Sequence, residues 1–259
     1  MSESVGIQSD EDDAQARSPV TIHLLGTPHI EGLGGRSALG DLDALLLWQL
    51  AVGAHQSSGQ LAQLLWPQHS PAAAGNSLRQ RVFRLRRRGV ELVGHGGGFH
   101  LHPGTSVDLL ALQPWLDWAP TRWAESELLL GVHAPGTELT TLLDDGRRQW
   151  ASQRCERTLA LARDLTTQGR FHDALAWLQP LHQVEPGREA VCRALMQVWL
   201  HLGDRAAAMA AFEATERHCL QHGRAPLETL TLQTFKDLLD GPTNPDPGPA
   251  KAGSPPEKP

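Results

Sequence analysis

Apolar and polar residues alternate through Val20-Thr21-Ile22-His23-Leu24-Leu25, which predicts a strand. His29-Ile30-Glu31 and Ser37-Ala38-Leu39 read as short partners across the glycine-rich turn Gly32-Leu33-Gly34-Gly35. The period then lengthens. Leu45, Leu46, Trp48, Leu50 and Val52 predict a helix capped by Asp41. Ser57 and Gln60 have capping-box spacing ahead of Leu61, Leu64, Leu65 and Trp66, and Trp66-Pro67 ends this second helix. Ser70 caps a third, with Pro71 at its first position and Gly89 just past its end. Leu78, Val82 and Leu85, at i, i+4 and i+7, set its buried face. Alternation returns in Val90–Val93 and Phe99–His102, around the tight turn His95-Gly96-Gly97-Gly98.

Sheet, three helices, then a hairpin is the plan of a winged helix-turn-helix. Its third helix enters the major groove and its hairpin touches the neighbouring backbone or minor groove. Beyond Val107 the character changes. Gly169-Arg170-Phe171-His172-Asp173-Ala174 is echoed by Gly203-Asp204-Arg205-Ala206-Ala207-Ala208, 34 residues on, the period of tetratricopeptide helix pairs. Apolar spacing in the two echoed helices runs Ala174, Leu178, Leu181 and Ala208, Phe212, Thr215, Cys219, and Pro186 closes the first unit. A long helix over 138–167 leads in, and one over 227–239 caps the array. The expected fold is multidomain, α+β followed by all-α. A disordered acidic tail (1–18) precedes a winged helix-turn-helix (19–107), a tetratricopeptide-type helical repeat domain (108–240) and a disordered Pro/Gly-rich tail (241–259).

Charge sharpens this picture. The chain as a whole carries -6, yet residues 18–107 hold seven arginines against four acids, and Ser70–Gly89 holds six arginines and no acid. Unopposed positive charge on one helix of an acidic protein is the electrostatic footprint of a nucleic-acid reader. Residues 108–259 hold fifteen Lys/Arg against twenty acids, which suits contact with protein rather than phosphate. At 100° per residue, Asn76, Gln80, Phe83, Arg84 and Arg87 point away from the buried stripe of the third helix. Arginine pairs bidentately with guanine, Asn or Gln with adenine, and Phe83 suits a thymine methyl. Arg79, Arg81, Arg86 and Arg88 lie on the flanks, where phosphates run. The candidate DNA-binding residues are therefore Asn76, Arg79, Gln80, Arg81, Phe83, Arg84, Arg87 and Arg88 on the helix and His100 on the wing.

Other chemistry finds little support. His95-Gly96-Gly97-Gly98 has the look of a lipase oxyanion loop, but no Gly-x-Ser-x-Gly elbow accompanies it. His95, His100 and His102 lack the rest of a coordination shell, so no metal site is assigned. No phosphate-loop lysine follows the glycines of 32–40. Cys155, Cys192 and Cys219 are odd in number, far apart, and read as small apolar fillers. The eight tryptophans fall mostly among apolar neighbours, with Trp115, Trp118 and Trp123 placed near the domain junction. The chain reads as a non-enzyme without cofactor, cytoplasmic, with no signal peptide and no membrane span.

These residues also carry a family resemblance. Leu61-Ala62-Gln63-Leu64-Leu65-Trp66-Pro67, Asn76-Ser77-Leu78-Arg79-Gln80 with Arg84-Leu85-Arg86-Arg87, and Gly96-Gly97-Gly98-Phe99-His100-Leu101 resemble the OmpR-type DNA-binding domain of bacterial transcriptional activators. Val107-Asp108, Gly169 with Ala174, Glu185-Pro186, Arg193-Ala194-Leu195-Met196 and Gly203-Asp204 with Ala208 resemble the bacterial transcriptional activator domain (BTAD). The resemblance implies a bacterial transcription regulator of the antibiotic-pathway type, without the large ATPase domain of some relatives and without a receiver domain ahead of the winged helix. It further implies RNA polymerase as a partner, while the arginine helix points to double-stranded DNA and tandem half-sites would reward a second copy of the chain. Phe99-His100 stands where that wing often has Tyr-Arg. The expected function is a sequence-specific DNA-binding activator that reads the major groove with helix 71–88. The alternative is a helical-repeat adaptor whose winged helix does not read DNA specifically.

Overall fold

The computed structural model describes residues 20–32, 34–53, 57–110, 118–223 and 225–240. The two expected disordered tails and Trp115 lie outside the described residues. The chain forms two compact units that divide between Arg154 and Cys155.

The first unit opens with β1 (Thr21–His23), β2 (His29–Gly32) and β3 (Gly35–Ala38). Three helices follow: α1 (Asp41–Ala51), α2 (Ser58–Leu65) and α3 (Pro71–Arg87). The hairpin β4 (Leu92–His95) and β5 (Gly98–Leu101) leads to β6 (Ser106–Val107) and the short α4 (Pro120–Ala124). The main sheet has the order β3-β2-β1-β6, antiparallel except for β6, which runs parallel to β1. Val107 is buried in β6, and the next residue, Asp108, accepts the Leu24 and Leu25 N–H groups at 2.8 and 3.2 Å.

Two local expectations change. Gly40, not Asp41, is the N-cap of α1, and it makes no side-chain capping bond. Asp41 is the first helical residue, where its charge still favours the positive end of the helix dipole, and its carboxylate accepts the His133 N–H. β1 also stops at His23, because Leu25 turns to bridge Leu128.

The division by packing falls after the expected boundary at 107/108. Gly26 N–H donates to Glu127 at 2.7 Å and Leu129 N–H to Leu24 at 2.8 Å, which fastens the turn after α4 to the end of β1. Leu129 is buried with φ at 52°, a strained setting for leucine. The Arg147 guanidinium holds this turn by donating to the carbonyls of Leu128, Leu129 and Val132. Trp123 is 1% exposed and meets Trp150 edge-on at 5.5 Å. Burial of these residues, invisible to a charge count, places 120–154 with the first unit.

α5 (Thr137–Thr167) crosses the division. Within the first unit its Gly146 sits against α1. A Cβ there would lie 2.5 Å from Trp48 Cζ2 and 3.2 Å from Leu128 Cδ2, and Trp48 is too buried to swing aside. Gly→Ala gains about 1 kcal/mol of helix propensity, but overpacking costs about 1–3 kcal/mol. Gly146→Ala is therefore expected to lower the melting temperature, which a thermal scan of the two proteins checks.

The second unit holds the rest of α5, then α6 (Phe171–Val184), α7 (Glu189–His201), α8 (Arg205–Gln221) and α9 (Thr229–Asp240). The echo in sequence is an echo in geometry. Gly169 and Gly203 both have φ of 75°. Each ends a helix with the same bonds: Gly169 to Thr166 and Arg170 to Leu165, Gly203 to Leu200 and Asp204 to Trp199. Ala174, Leu178 and Leu181, and then Ala208, Phe212, Thr215 and Cys219, are buried as their spacing predicts. Cys192, Met196, Ala208 and Phe212 form a core closed by Phe235, whose ring stacks on Phe212 at 3.9 Å. All three cysteines are buried thiols, and burial pushes the Cys192 thiol up to about 11.

His182 is a polar exception in this core. Its Nε2 lies 2.9 Å from the Thr215 hydroxyl, which itself donates to the Ala211 carbonyl. The Thr215 proton is thus committed, so Nε2–H donates and Nδ1 stays bare. Burial holds the imidazole below its ordinary value of 6.5. With the folded value depressed, the unfolded chain binds the proton more tightly. The contribution to stability is fully present above about pH 6.5 and is lost as pH falls from there toward the folded value. The denaturant midpoint of this unit is expected to drop between pH 7.5 and 5, and the drop to be smaller in His182→Gln.

Candidate nucleic-acid interface

α3 forms because its signals agree. The Ser70 hydroxyl accepts the Ala73 N–H, Pro71 starts the helix, and Gly89, at φ 90°, releases the chain after the C-cap Arg88. Ala74, Leu78, Val82 and Leu85 are buried, so the helix cannot roll about its axis without exposing them. α2 ahead of it carries the full Ser57/Gln60 capping box. Gln63 spans the connection by donating to the Pro67 and His69 carbonyls.

The hairpin after α3 pairs Leu92 with Leu101, Val93 with His100 and Gly94 with Phe99. Its two-residue tip, Gly96-Gly97, has φ of 61° and 79°, the mirror-image turn that only such residues adopt cheaply. The tip is tied down. Ser58 at the start of α2 donates to the Gly97 carbonyl from its N–H at 3.0 Å and its hydroxyl at 2.7 Å. α2, α3 and the hairpin therefore act as one positioned body.

The six arginines of α3 and its C-cap divide evenly. Arg81 bonds Asp43 of α1 at 2.9 Å, with both side chains about four-fifths buried. Arg88 lies 3.6 Å from the same carboxylate and donates to the Ser37 hydroxyl and the Ala38 carbonyl of β3. Arg86 donates twice to the Leu92 carbonyl, at 3.1 and 2.6 Å. These three brace the helix against α1, β3 and the hairpin. Arg79, Arg84 and Arg87 are exposed. Arg79 reaches one turn back to Asn76 on the same surface.

Gln80, Phe83 and Arg84 continue the exposed stripe, and Phe83 is 62% exposed. Among the described residues, no side-chain hydrogen bond or ion pair engages Gln80, Arg84 or Arg87. Such an array offers bidentate donors, an amide and an apolar face within three helical turns. His100 is half-buried on β5, opposite Val93. The structure thus gathers Asn76, Arg79, Gln80, Phe83, Arg84 and Arg87 on one face and gives Arg81 and Arg88 intramolecular partners. Asp43 is the residue the sequence reading missed. An acid in the first turn of a helix looks like a dipole partner, and only the tertiary fold brings it to Arg81 and Arg88. No helix among the described residues is long and apolar enough to cross a membrane.

Residues 123–231 match the family model of the bacterial transcriptional activator domain. The fold is similar to that of Mycobacterium tuberculosis EmbR, solved in complex with a low affinity phosphopeptide. That likeness has a TM-score of 0.61 at 16% identity and covers 85% of this chain. The chain spans 65% of the length of the EmbR chain, and at this identity the likeness is one of fold. No curated protein sequence matches.

Proposed function

We propose that the chain is a sequence-specific DNA-binding transcriptional regulator, of the activating kind, whose winged helix-turn-helix reads the major groove with residues 71–88. The observation that carries this reading is the outward stripe of α3. Gln80, Phe83, Arg84 and Arg87 stand exposed on a helix whose opposite face is locked into a core and which Arg81, Arg86 and Arg88 brace. An exposed phenylalanine among unpaired arginines has no role in packing. It suits a surface that is dry only when DNA covers it. The match of residues 123–231 to an activator-domain family supports the regulatory part of the reading.

Residues 108–240, of tetratricopeptide type, then serve contact with protein. A groove of about 750 Å³ in the second unit, lined in part by Leu159, Arg163, Leu178, Gln197 and His201, supports that role. RNA polymerase and a second copy of the chain are the partners this division of labour calls for, since paired half-sites reward linked readers.

Binding of the full chain to duplex DNA tests the reading. Affinity is expected to fall steeply with salt, by about 0.9 log units per log unit of salt for each neutralised phosphate. Binding that is absent at low salt, or flat across the titration, would contradict it.

A further inference from the structure

β1 and β2 bring together two imidazoles and a carboxylate that the DNA-reading surface does not use. His23 is paired directly with His29, and Glu31 lies two residues along the same strand face. Their rings stack at 4.3 Å, and His23 Nε2 lies 3.2 Å from Glu31. One ligand atom from each of the three residues falls within 4.8 Å of the other two.

Each imidazole is also oriented from behind. His29 Nδ1 lies 2.9 Å from the Thr27 carbonyl, so that nitrogen carries the proton and Nε2 keeps its lone pair. His23 Nδ1 faces Asp108 at 3.5 Å, and the Asp108 carboxylate is itself fixed by the Leu24 and Leu25 N–H groups. A carbonyl or carboxylate behind the far nitrogen is how proteins set the tautomer of a metal-binding histidine. Both ring nitrogens of His23 are nonetheless buried without a hydrogen bond of good geometry. That is an expense a fold seldom carries unless another species uses the site.

We propose that His23, His29 and Glu31 form a binding site for a divalent transition-metal cation of zinc type. Two neutral imidazoles and one carboxylate select borderline cations over magnesium or calcium, and three protein ligands leave one position for water. Glu31 is 61% exposed, so an ion reaches the imidazoles past a solvent-facing carboxylate. Donors around a tetrahedral zinc stand roughly 3.3 Å apart. His23 Nε2 and Glu31 already stand at about that spacing, and the stacked rings reach it by tilting about χ2, a soft torsion in histidine. Arg36, paired across from Glu31 on β3, works against a cation.

The site stands independently of DNA reading and is tested without DNA. Chelator-treated full-length protein is titrated with zinc(II) by calorimetry, with cobalt(II) absorption as the reporter of ligand geometry. One equivalent is expected per chain. Glu31→Gln, a surface change that leaves circular dichroism intact, should weaken binding at least ~10-fold. Arg36→Gln should tighten it. No binding by the native chain would overturn the proposal. Equal affinity in the native and Glu31→Gln proteins would also overturn it, since the ion would then sit on other histidines, such as the stacked His218/His222 pair.

Discussion

The triple variant Arg79→Ala/Arg84→Ala/Arg87→Ala is expected to keep its fold and lose most of its affinity for duplex DNA. All three side chains are exposed, and none braces α3. Each of the three that neutralises a phosphate lowers the salt slope by about 0.9 when removed, and each that pairs with a base lowers affinity for the preferred sequence instead. A loss of that size turns tight binding at moderate salt into binding seen only at low salt. Changes to the bracing arginines should behave differently. Arg81→Ala leaves Asp43 partly buried with a weaker partner, and Arg88→Ala strips the Ser37 and Ala38 contacts. Both should lower the thermal stability of the first unit, with DNA affinity following the fold rather than the charge. Electrophoretic or anisotropy titrations at several salt concentrations, alongside thermal scans, separate the two classes.

Trp123→Ala should carry the largest stability effect. The side chain is 1% exposed and packs edge-on against Trp150 and, at 6.4 Å, against Trp118. Removing a fully buried tryptophan costs about 3–5 kcal/mol, a large share of the roughly 5–15 kcal/mol that holds a domain folded. Because the chain has two units, a melting temperature alone does not say which segments lose protection. Hydrogen exchange read segment by segment is better. Protection is expected to fall across β1, α1 and α3, because the turn after α4 is bonded to the end of β1. If protection fell only within 118–150, that segment would not be part of the first unit's cooperative core.

Much of this architecture was legible from local chemistry. Ser57 with Gln60, Ser70 with Pro71, and Gly89 each mark a helix end where the residue's own backbone preference decides the outcome. Gly96-Gly97 decides the hairpin in the same way. The 34-residue echo from Gly169 to Gly203 recurs as one helix corner made twice. What stayed hidden depends on distant partners. Spacing cannot show that Asp43 would clamp Arg81, or that Trp123 and Arg147 would tie 120–154 to the first sheet. His29 and Glu31, two apart on a predicted strand, did share a face in the sequence. Their meeting with His23 required the register of β1 on β2.

Whether the outward face of α3 reads bases is decided by selection of bound sequences from a random duplex pool. The native chain should enrich a defined motif. Gln80→Ala and Arg84→Ala should each erase the preference at particular positions while leaving the rest, a discrimination worth about 1–3 kcal/mol for a bidentate contact. An unenriched pool, or the same motif at full strength from both variants, would contradict base reading by α3.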